Sequence, residues 1–412
     1  MTTPSRAGLG ERAVVDALRR SGSATRAQLA GMTGLSRSAV ATIVAGLVES
    51  GSLQAGDKGG TVAGRGRPAQ LLRLAEPDGV LLGVDLGNSH VRVALATPTG
   101  TLIKDAEKLI DVAHSPTAAL DAAAAMAAEL MAEVKAGPDD VLSAVMGIPA
   151  PVSTRTGRIP LNNVLPNWVE IDAAFELGSR LGITVTVEND ANLGALGEAI
   201  YGAAAGESVV LYVKVATGIG SGIVLDQRIF RGATGAAGEI GHVQVDQDGA
   251  LCRCGARGCL ETLVSLPRML DALRPVVDQD LDLDSYQALL QRRHPGALRV
   301  TSDAGRQVGR VVADQCTLLN PSRTVVGGPI PEANVVLAAS IRSVAERFAH
   351  PAAEEAMLVV PGVLGARAEV LGALAFARDL AANRLLPDAA TVAGAPESRA
   401  RSLGQSWSLV PD

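Results

Sequence analysis

Apolar residues in the first fifty positions recur at helical spacing. Val14, Val15 and Leu18 share one face of a helix over Gly10–Arg20, which Ser21-Gly22-Ser23 ends. A second helix is predicted from about Thr25, its N-cap, to Met32, with Leu29 and Ala30 facing inward. Thr33-Gly34 then makes a tight turn into a third helix that starts at Leu35-Ser36 and stops at Gly51; its inward face is Val40, Ile43, Val44 and Leu47. Beyond it the period changes. Ser52-Leu53-Gln54 and Gln70-Leu71-Leu72-Arg73-Leu74 read as two strands around a Gly-rich hairpin. Further runs at 80–84, 91–95, 211–215 and 223–225 read as strands. Helices are predicted through Leu196 and Ala199 and near 303–318.

A chain of 412 residues exceeds the usual single core and predicts two or three domains. Hydrophobic residues make up 47% and aromatics only 2%, so the core is built from Ala, Val, Leu and Ile, and aromatic stacking is excluded as the main recognition device. No basic segment at the start is followed by a long apolar run, and the Ala-rich stretch near 117–134 is broken by Asp121 and Glu129. The expectation is a cytoplasmic protein without a membrane partner, its thiols reduced. The net charge of −6 conceals a division. Residues 1–75 hold ten Lys+Arg against four Asp+Glu, and the remainder 27 against 39, so a polyanion is expected to meet the first segment.

That segment has the pattern of a winged helix-turn-helix over residues 1–76. Ser36, Arg37, Ser38 and Thr42 are left free to face a major groove, and Gly64-Arg65-Gly66-Arg67-Pro68 forms a basic tip that can place Arg65 and Arg67 in a minor groove. A three-helix domain used only for protein contacts is the alternative. The basic tip argues for operator DNA.

Three of the four cysteines cluster beside a histidine, in the order His242, Cys252, Cys254, Cys259. Thiolates and an imidazole supply the tetrahedral shell of a structural zinc site, and Gly255 and Gly258 let the loop fold tightly; buried apolar thiols are the plainer reading. Small-residue turns follow two strands, at Asp85-Leu86-Gly87-Asn88-Ser89-His90 and at Thr217-Gly218-Ile219-Gly220-Ser221-Gly222. Such turns can set backbone N–H groups against a phosphate, although each alone could be a plain hairpin. A third, at Gly327-Gly328, would lie against an adenosine. Two copies of strand, turn, strand predict two related lobes, as in the α/β fold of actin-like ATPases and sugar kinases. Asp190, between a strand and a helix, is either a general base for a sugar hydroxyl or a helix N-cap.

In sequence, Asp85–His90, Glu188–Asn192, Thr217–Gly222, Gly238-Glu239-x-Gly241-His242, the Cys252–Glu261 stretch and Gly327-Gly328 resemble the ROK family (repressors, open reading frames and kinases) over roughly residues 80–380. With the winged helix in front, the chain is similar to the family's transcriptional repressors. The resemblance implies a ligand-binding domain over 77–387 with a zinc loop at 242–259. It also implies that Asn189, Asp190, Glu239, His242 and Glu261 contact sugar hydroxyls, with His242 bound to zinc through one ring nitrogen. Asp85, Gly87, Thr217, Gly218, Gly220, Gly327 and Gly328 are its nucleotide positions. A polar tail from about Asp388 is expected to be disordered.

Two departures from the family stand out. Its kinases read Asp-x-Gly-Gly-Thr-Lys at the first turn, where this chain has Asn88, Ser89 and His90; asparagine tolerates left-handed backbone, so the turn is expected to survive with its side chain crowding a phosphate. In Pro160–Trp168 the sugar-binding asparagine is assigned to Asn163. The expected function is therefore a sugar-responsive transcriptional repressor, a homodimer or homotetramer holding zinc. The alternative is an ATP-dependent hexose or amino-sugar kinase, using ATP and Mg, that carries a DNA-binding domain.

Overall fold

The computed structural model describes residues 6–55, 70–74, 78–160, 165–277, 281–351 and 358–384. Asn163, Arg65, Arg67 and the tail from Asp388 lie outside the described residues. The described residues divide into two compact units, those up to Leu74 together with 382–384, and those from Asp78 to Ala381.

In the first unit, α1 (Arg6–Ser21), α2 (Arg26–Thr33) and α3 (Arg37–Glu49) precede β1 (Leu53–Ala55) and β2 (Leu72–Leu74). Thr25 caps α2 reciprocally: its hydroxyl accepts from the Gln28 N–H while Gln28 Oε1 accepts from the Thr25 N–H. Gly34, at φ 69°, reverses the chain, and Ser36 Oγ accepts from the Ala39 N–H to start α3. Val14, Leu18, Leu29, Val40, Val44, Leu47, Leu53 and Leu72 form one core. Ile43 and Ala30 are half-buried at its edge. The strands pair antiparallel, Leu53 opposite Leu74, and Ala24 bonds Leu72 from the other side, adding a third strip that the sequence pattern did not indicate.

The second unit holds two five-stranded sheets. The first contains β3 (Val80–Leu86), β4 (His90–Ala96), β5 (Leu102–Leu109), β6 (Val141–Ile148) and β7 (Val185–Asn189), in the order β5-β4-β3-β6-β7. The second contains β8 (Val209–Val215), β9 (Ile219–Leu225), β10 (Arg228–Ile229), β11 (Arg323–Gly327) and β12 (Val359–Pro361), in the order β10-β9-β8-β11-β12. Each sheet is a pair of hairpins extended by two parallel strands, so one topology occurs twice. This is the two-lobed fold of actin-like ATPases and sugar kinases. The helices are α4 (Pro116–Glu133), α5 (Ala173–Leu181), α6 (Asp190–Tyr201), α7 (Glu261–Val264), α8 (Leu266–Leu273), α9 (Leu283–Gln291), α10 (Pro295–Leu319), α11 (Pro331–Phe348) and α12 (Ala368–Arg384).

Alternation along the strands decides which helices each face receives. Leu82 and Val84 pack with α4 and α5, whereas Leu81 and Val145 pack with α12. Leu211 and Val213 pack with α8 to α11, whereas Val210 and Tyr212 pack with α6. The two helices α6 and α12 thus lie between the sheets and cross at glycines. A Cβ on Gly372 would fall 1.8 Å from the Leu193 carbonyl oxygen, and one on Gly197 2.2 Å from that of Ala368. Among the described residues, no single helix is long and apolar enough to cross a membrane.

Candidate functional site

The parallel strands β3, β7, β8 and β11 deliver Asp85, Asn189, Lys214 and Gly327 at or near their carboxyl ends, the usual location of ligand sites in α/β folds. Asp85 is fully buried, and His90, four residues beyond its strand neighbour, closes back onto it: His90 Nε2 lies 3.0 Å from Asp85 Oδ2. Burial opposes both charges, but the mutual bond outweighs it, lowering the Asp85 pKa and raising that of His90. His90 therefore donates Nε2–H. Its ring covers Gly87, where a Cβ would sit 2.1 Å from Cε1. The turn survives as expected but for another reason: Asn88 is not among the left-handed residues, and its amide donates to the Thr217 hydroxyl of the opposite turn. The two turns are thereby tied to each other by the chain's own side chains.

Asp190 is the first residue of α6, and Asn189 holds the cap position that the plainer reading gave to Asp190. Asn189 Oδ1 accepts from the Asn192 N–H and so caps α6, and its Nδ2 donates to the Ala150 carbonyl, which ties that cap to the segment after β6. The Asp190 carboxylate accepts from Lys214 Nζ at 2.8 Å, and the same ammonium lies 2.9 Å from Glu369 Oε1 on α12. Their side chains are only 10%, 13% and 6% exposed for Asp190, Lys214 and Glu369. Burial works against the lysine's charge, yet Asp190 and Glu369 hold its pKa well above the ordinary value. Lys214 and Glu369 were not anticipated. A lysine inside the apolar run Leu211–Val215 was the available signal, since an unpaired charge is rarely tolerated there.

Behind Asp190 a second ion pair forms on the buried Glu188. Glu188 Oε1 accepts from the Asn189 N–H and Asn192 Nδ2, and Arg231 Nε donates to its Oε2 at 2.5 Å.

Glu239 lies close enough to Asp190 and Glu261 for the three charges to interact. Burial first, then these two carboxylates, push the Glu239 pKa up to about 7, with Arg253 opposing. Glu261 is held by a bidentate Arg253, Nε to Oε1 and Nη2 to Oε2, each 2.8 Å, and its Oε2 also accepts from the Ile219 N–H. Arg253 was not foreseen as a site residue. It and Glu261 occupy the space in front of Gly218, where a Cβ would meet Glu261 Oε2 at 2.5 Å. Gly220 instead faces Ala191 of α6. Gly327 would strike the Tyr212 ring and Gly328, at φ 148°, the Val215 carbonyl, so packing alone accounts for both glycines.

His242 ends a short turn (Ile240–His242) and presents its two nitrogens to different neighbours. Nδ1 lies 3.6 Å from Cys252 Sγ, and Nε2 3.9 Å from Glu239 Oε2. The ligand atoms of His242, Cys252, Cys254 and Cys259 all lie within 4.8 Å of one another, and Cys254 and Cys259 Sγ are 3.7 Å apart. Tetrahedral bonds of about 2.3 Å to sulfur and about 2.0 Å to nitrogen require separations of roughly 3.8 Å between sulfurs and roughly 3.5 Å from sulfur to nitrogen, so the donor set fits zinc. Gly258, at φ 66°, lets the loop close: a Cβ there would overlap the Asp246 carbonyl oxygen at 1.5 Å. All four cysteines are free thiols, and burial with its neighbouring thiols pushes that of Cys259 up to about 12.

In the first unit, Ser36, Arg37, Ser38 and Thr42 are exposed at the start of α3. Ser36 and Thr42 also serve the helix locally, as cap and as donor to the Ser38 carbonyl.

The ROK family profile matches residues 81–380. A xylose repressor of Bacillus spizizenii is 28% identical over 84% of this chain and 89% of its own. A glucokinase of Thermotoga maritima is also 28% identical, over 73% of this chain and 97% of its own. Among solved structures, a ROK family transcriptional regulator described as a homologue of the E. coli MLC protein covers 93% of this chain and 100% of its own at 24% identity and a TM-score of 0.73, which speaks for the fold. A ROK family glucokinase from Streptomyces griseus, solved with glucose and AMPPNP, covers 73% and 100% at 25% identity and a TM-score of 0.64. Matched through both lobes and across the cysteine loop, the chain belongs to the ROK family.

Proposed function

We propose that this protein is a sugar-responsive, DNA-binding transcriptional repressor. The observation that carries the reading is the union of two parts in one chain: a winged helix-turn-helix with an exposed polar start to α3, and a sugar-kinase-like site whose acidic residues are held by the chain's own cations. The comparisons support it, because the repressor match extends over 84% of the chain whereas the nearly complete glucokinase accounts for 73%. The domain limits taken for the two parts are residues 1–76 and 77–387.

In this reading Arg37, Ser38 and Thr42 meet base edges in a major groove, and Arg65 and Arg67 reach the adjoining minor groove. Asn163, Asn189, Asp190, Glu239, His242 and Glu261 form the sugar site. Glu239 offers an acid proton below its pKa of about 7 and an acceptor above it, while Asp190 accepts from Lys214. Zinc, held by His242 Nδ1 and the three thiolates, would fix the loop and aim the other imidazole nitrogen at the ligand. A sugar bound between the lobes favours the lobe arrangement it fits best, by as much as its affinities for the two arrangements differ. In a dimer, that shift alters the spacing of two recognition helices against half-sites about 34–36 Å apart per helical turn. The test is a footprint and fluorescence anisotropy on DNA upstream of the gene, with and without a panel of pentoses, hexoses and amino sugars. A protected palindrome released by one sugar is expected; absence of any sequence-specific protection overturns the reading.

A kinase is the second reading, favoured by the glucokinase relatives and by Asp190 at the start of α6. It predicts ADP release from ATP and Mg with one of those sugars, abolished by Asp190→Asn.

A further inference from the structure

Five groups from both lobes meet where the strands of the two sheets end. Asp85 comes from β3, His90 from β4, Asp190 from α6, Lys214 from β8 and Glu369 from α12. Lys214 Nζ stands 2.8 Å from Asp190 and 2.9 Å from Glu369. Asp85 and Asp190 flank the same glycine: a Cβ on Gly147 would be 3.7 Å from both Asp85 Oδ1 and the Asp190 Cα. Asp85 Oδ1 is buried and has no hydrogen-bond partner among the described residues. Three carboxylates converging on one buried place would ordinarily draw in a divalent cation, since their repulsion is otherwise uncompensated. Here side chains supply the compensation, Lys214 for Asp190 and Glu369 and His90 for Asp85 Oδ2.

We propose that Lys214 is a built-in counter-cation that excludes a divalent metal from this carboxylate cluster and so makes the site a binding site without phosphoryl transfer. The ammonium bonded to Asp190 and Glu369, together with His90 on Asp85, satisfies the charge that Mg2+ would otherwise neutralise. It also bonds Asp190 Oδ2 while Asp190 Oδ1 accepts from the Ala191 N–H, so both oxygens that could take up the hydroxyl proton of an attacking sugar are already engaged. Glu369 completes the substitution, because Lys214 has two carboxylates to span and so ties β8 to both helices between the sheets. Lys214 and Glu369 are positioning residues, acting through Asp190. The proposal deepens the repressor reading and rests on it for its meaning, but its test does not depend on DNA.

The experiment compares the thermal unfolding of the full chain with that of Lys214→Gln/Glu369→Gln, which keeps two hydrogen-bonding amides but removes the ion pair. Each is measured with and without about 10 mM Mg2+, a hard cation that the thiolate loop does not favour. The wild type is expected to shift by less than about 1 °C, and the double variant to rise by about 3 °C or more as Mg2+ joins Asp85 and Asp190. A comparable Mg2+ shift in the wild type, or none in the folded double variant, overturns the proposal. Should the amide pair fail to fold, Lys214→Met/Glu369→Leu fills the same volume without polar groups and is held to the same two outcomes. Failure to bind operator DNA would sink the repressor reading and leave the Mg2+ comparison standing.

Discussion

The imidazole of His90 closes on Asp85 across the turn between β3 and β4, with Nε2 3.0 Å from Oδ2. The pair makes stability depend on pH. Raised above its ordinary 6.5, His90 contributes stability that is fully present below 6.5 and lost as pH rises through its folded pKa; lowered below 3.8, Asp85 contributes stability present above 3.8 and lost as pH falls through its folded value. His90→Asn is therefore expected to lower the melting temperature by roughly 2–4 °C near pH 6, the gap shrinking as pH rises through the folded His90 pKa. A gap that widened with pH would show that His90 acts as a neutral packing group.

The cysteine loop is expected to carry one zinc per chain, read by inductively coupled plasma mass spectrometry. Cys252→Ser should lose it and weaken both stability and sugar response, since the thiol supplies one of four donors. Because the buried Cys259 thiol sits at about 12 before metal binds, zinc uptake must release protons, and affinity should fall steeply as pH is lowered. Unchanged metal content in the variant would remove zinc from the site.

Arg37 is exposed at the first turn of α3, with Ser38 and Thr42 beside it. Arg37→Ala is expected to weaken operator binding by about 10- to 100-fold, the equivalent of roughly 1–3 kcal/mol, without altering the shift in melting temperature caused by sugar. Equal operator affinity would mean that another surface reads DNA.

The crossing of α6 and α12 tolerates no side chain at Gly372, whose Cβ would meet Leu193 backbone at 1.8 Å. Gly372→Ala should cost about 1–3 kcal/mol or more in thermal or urea unfolding, because backbone rather than a flexible side chain must yield. A neutral result would place the two helices farther apart than described.

The winged helix-turn-helix was legible in the chain because its signals are local. Helical spacing of Val40, Val44 and Leu47, the caps Thr25 and Ser36, and the reversal at Gly34 sit within a few residues of what they control. The same holds for the Cys252–Cys259 loop, whose spacing already confines its thiols. The repeated strand-turn-strand pattern at Asp85 and Thr217 likewise foretold two lobes. Strand limits moved by a residue or two, as at Leu53–Ala55, because pairing with Leu72–Leu74 fixes the ends and apolar pattern alone does not.

What the sequence determined by itself was therefore the kind of protein: the elements, the two lobes, the basic first segment and the thiol and imidazole set of the cysteine loop, each set by neighbours close in the chain. Tertiary structure alone decided which charges face one another. Asp190, Lys214 and Glu369 come from α6, β8 and α12, and no spacing rule joins them. The fold brings them into a place with little water, where a buried charge must find a partner, and the partner it finds decides what the carboxylate can do.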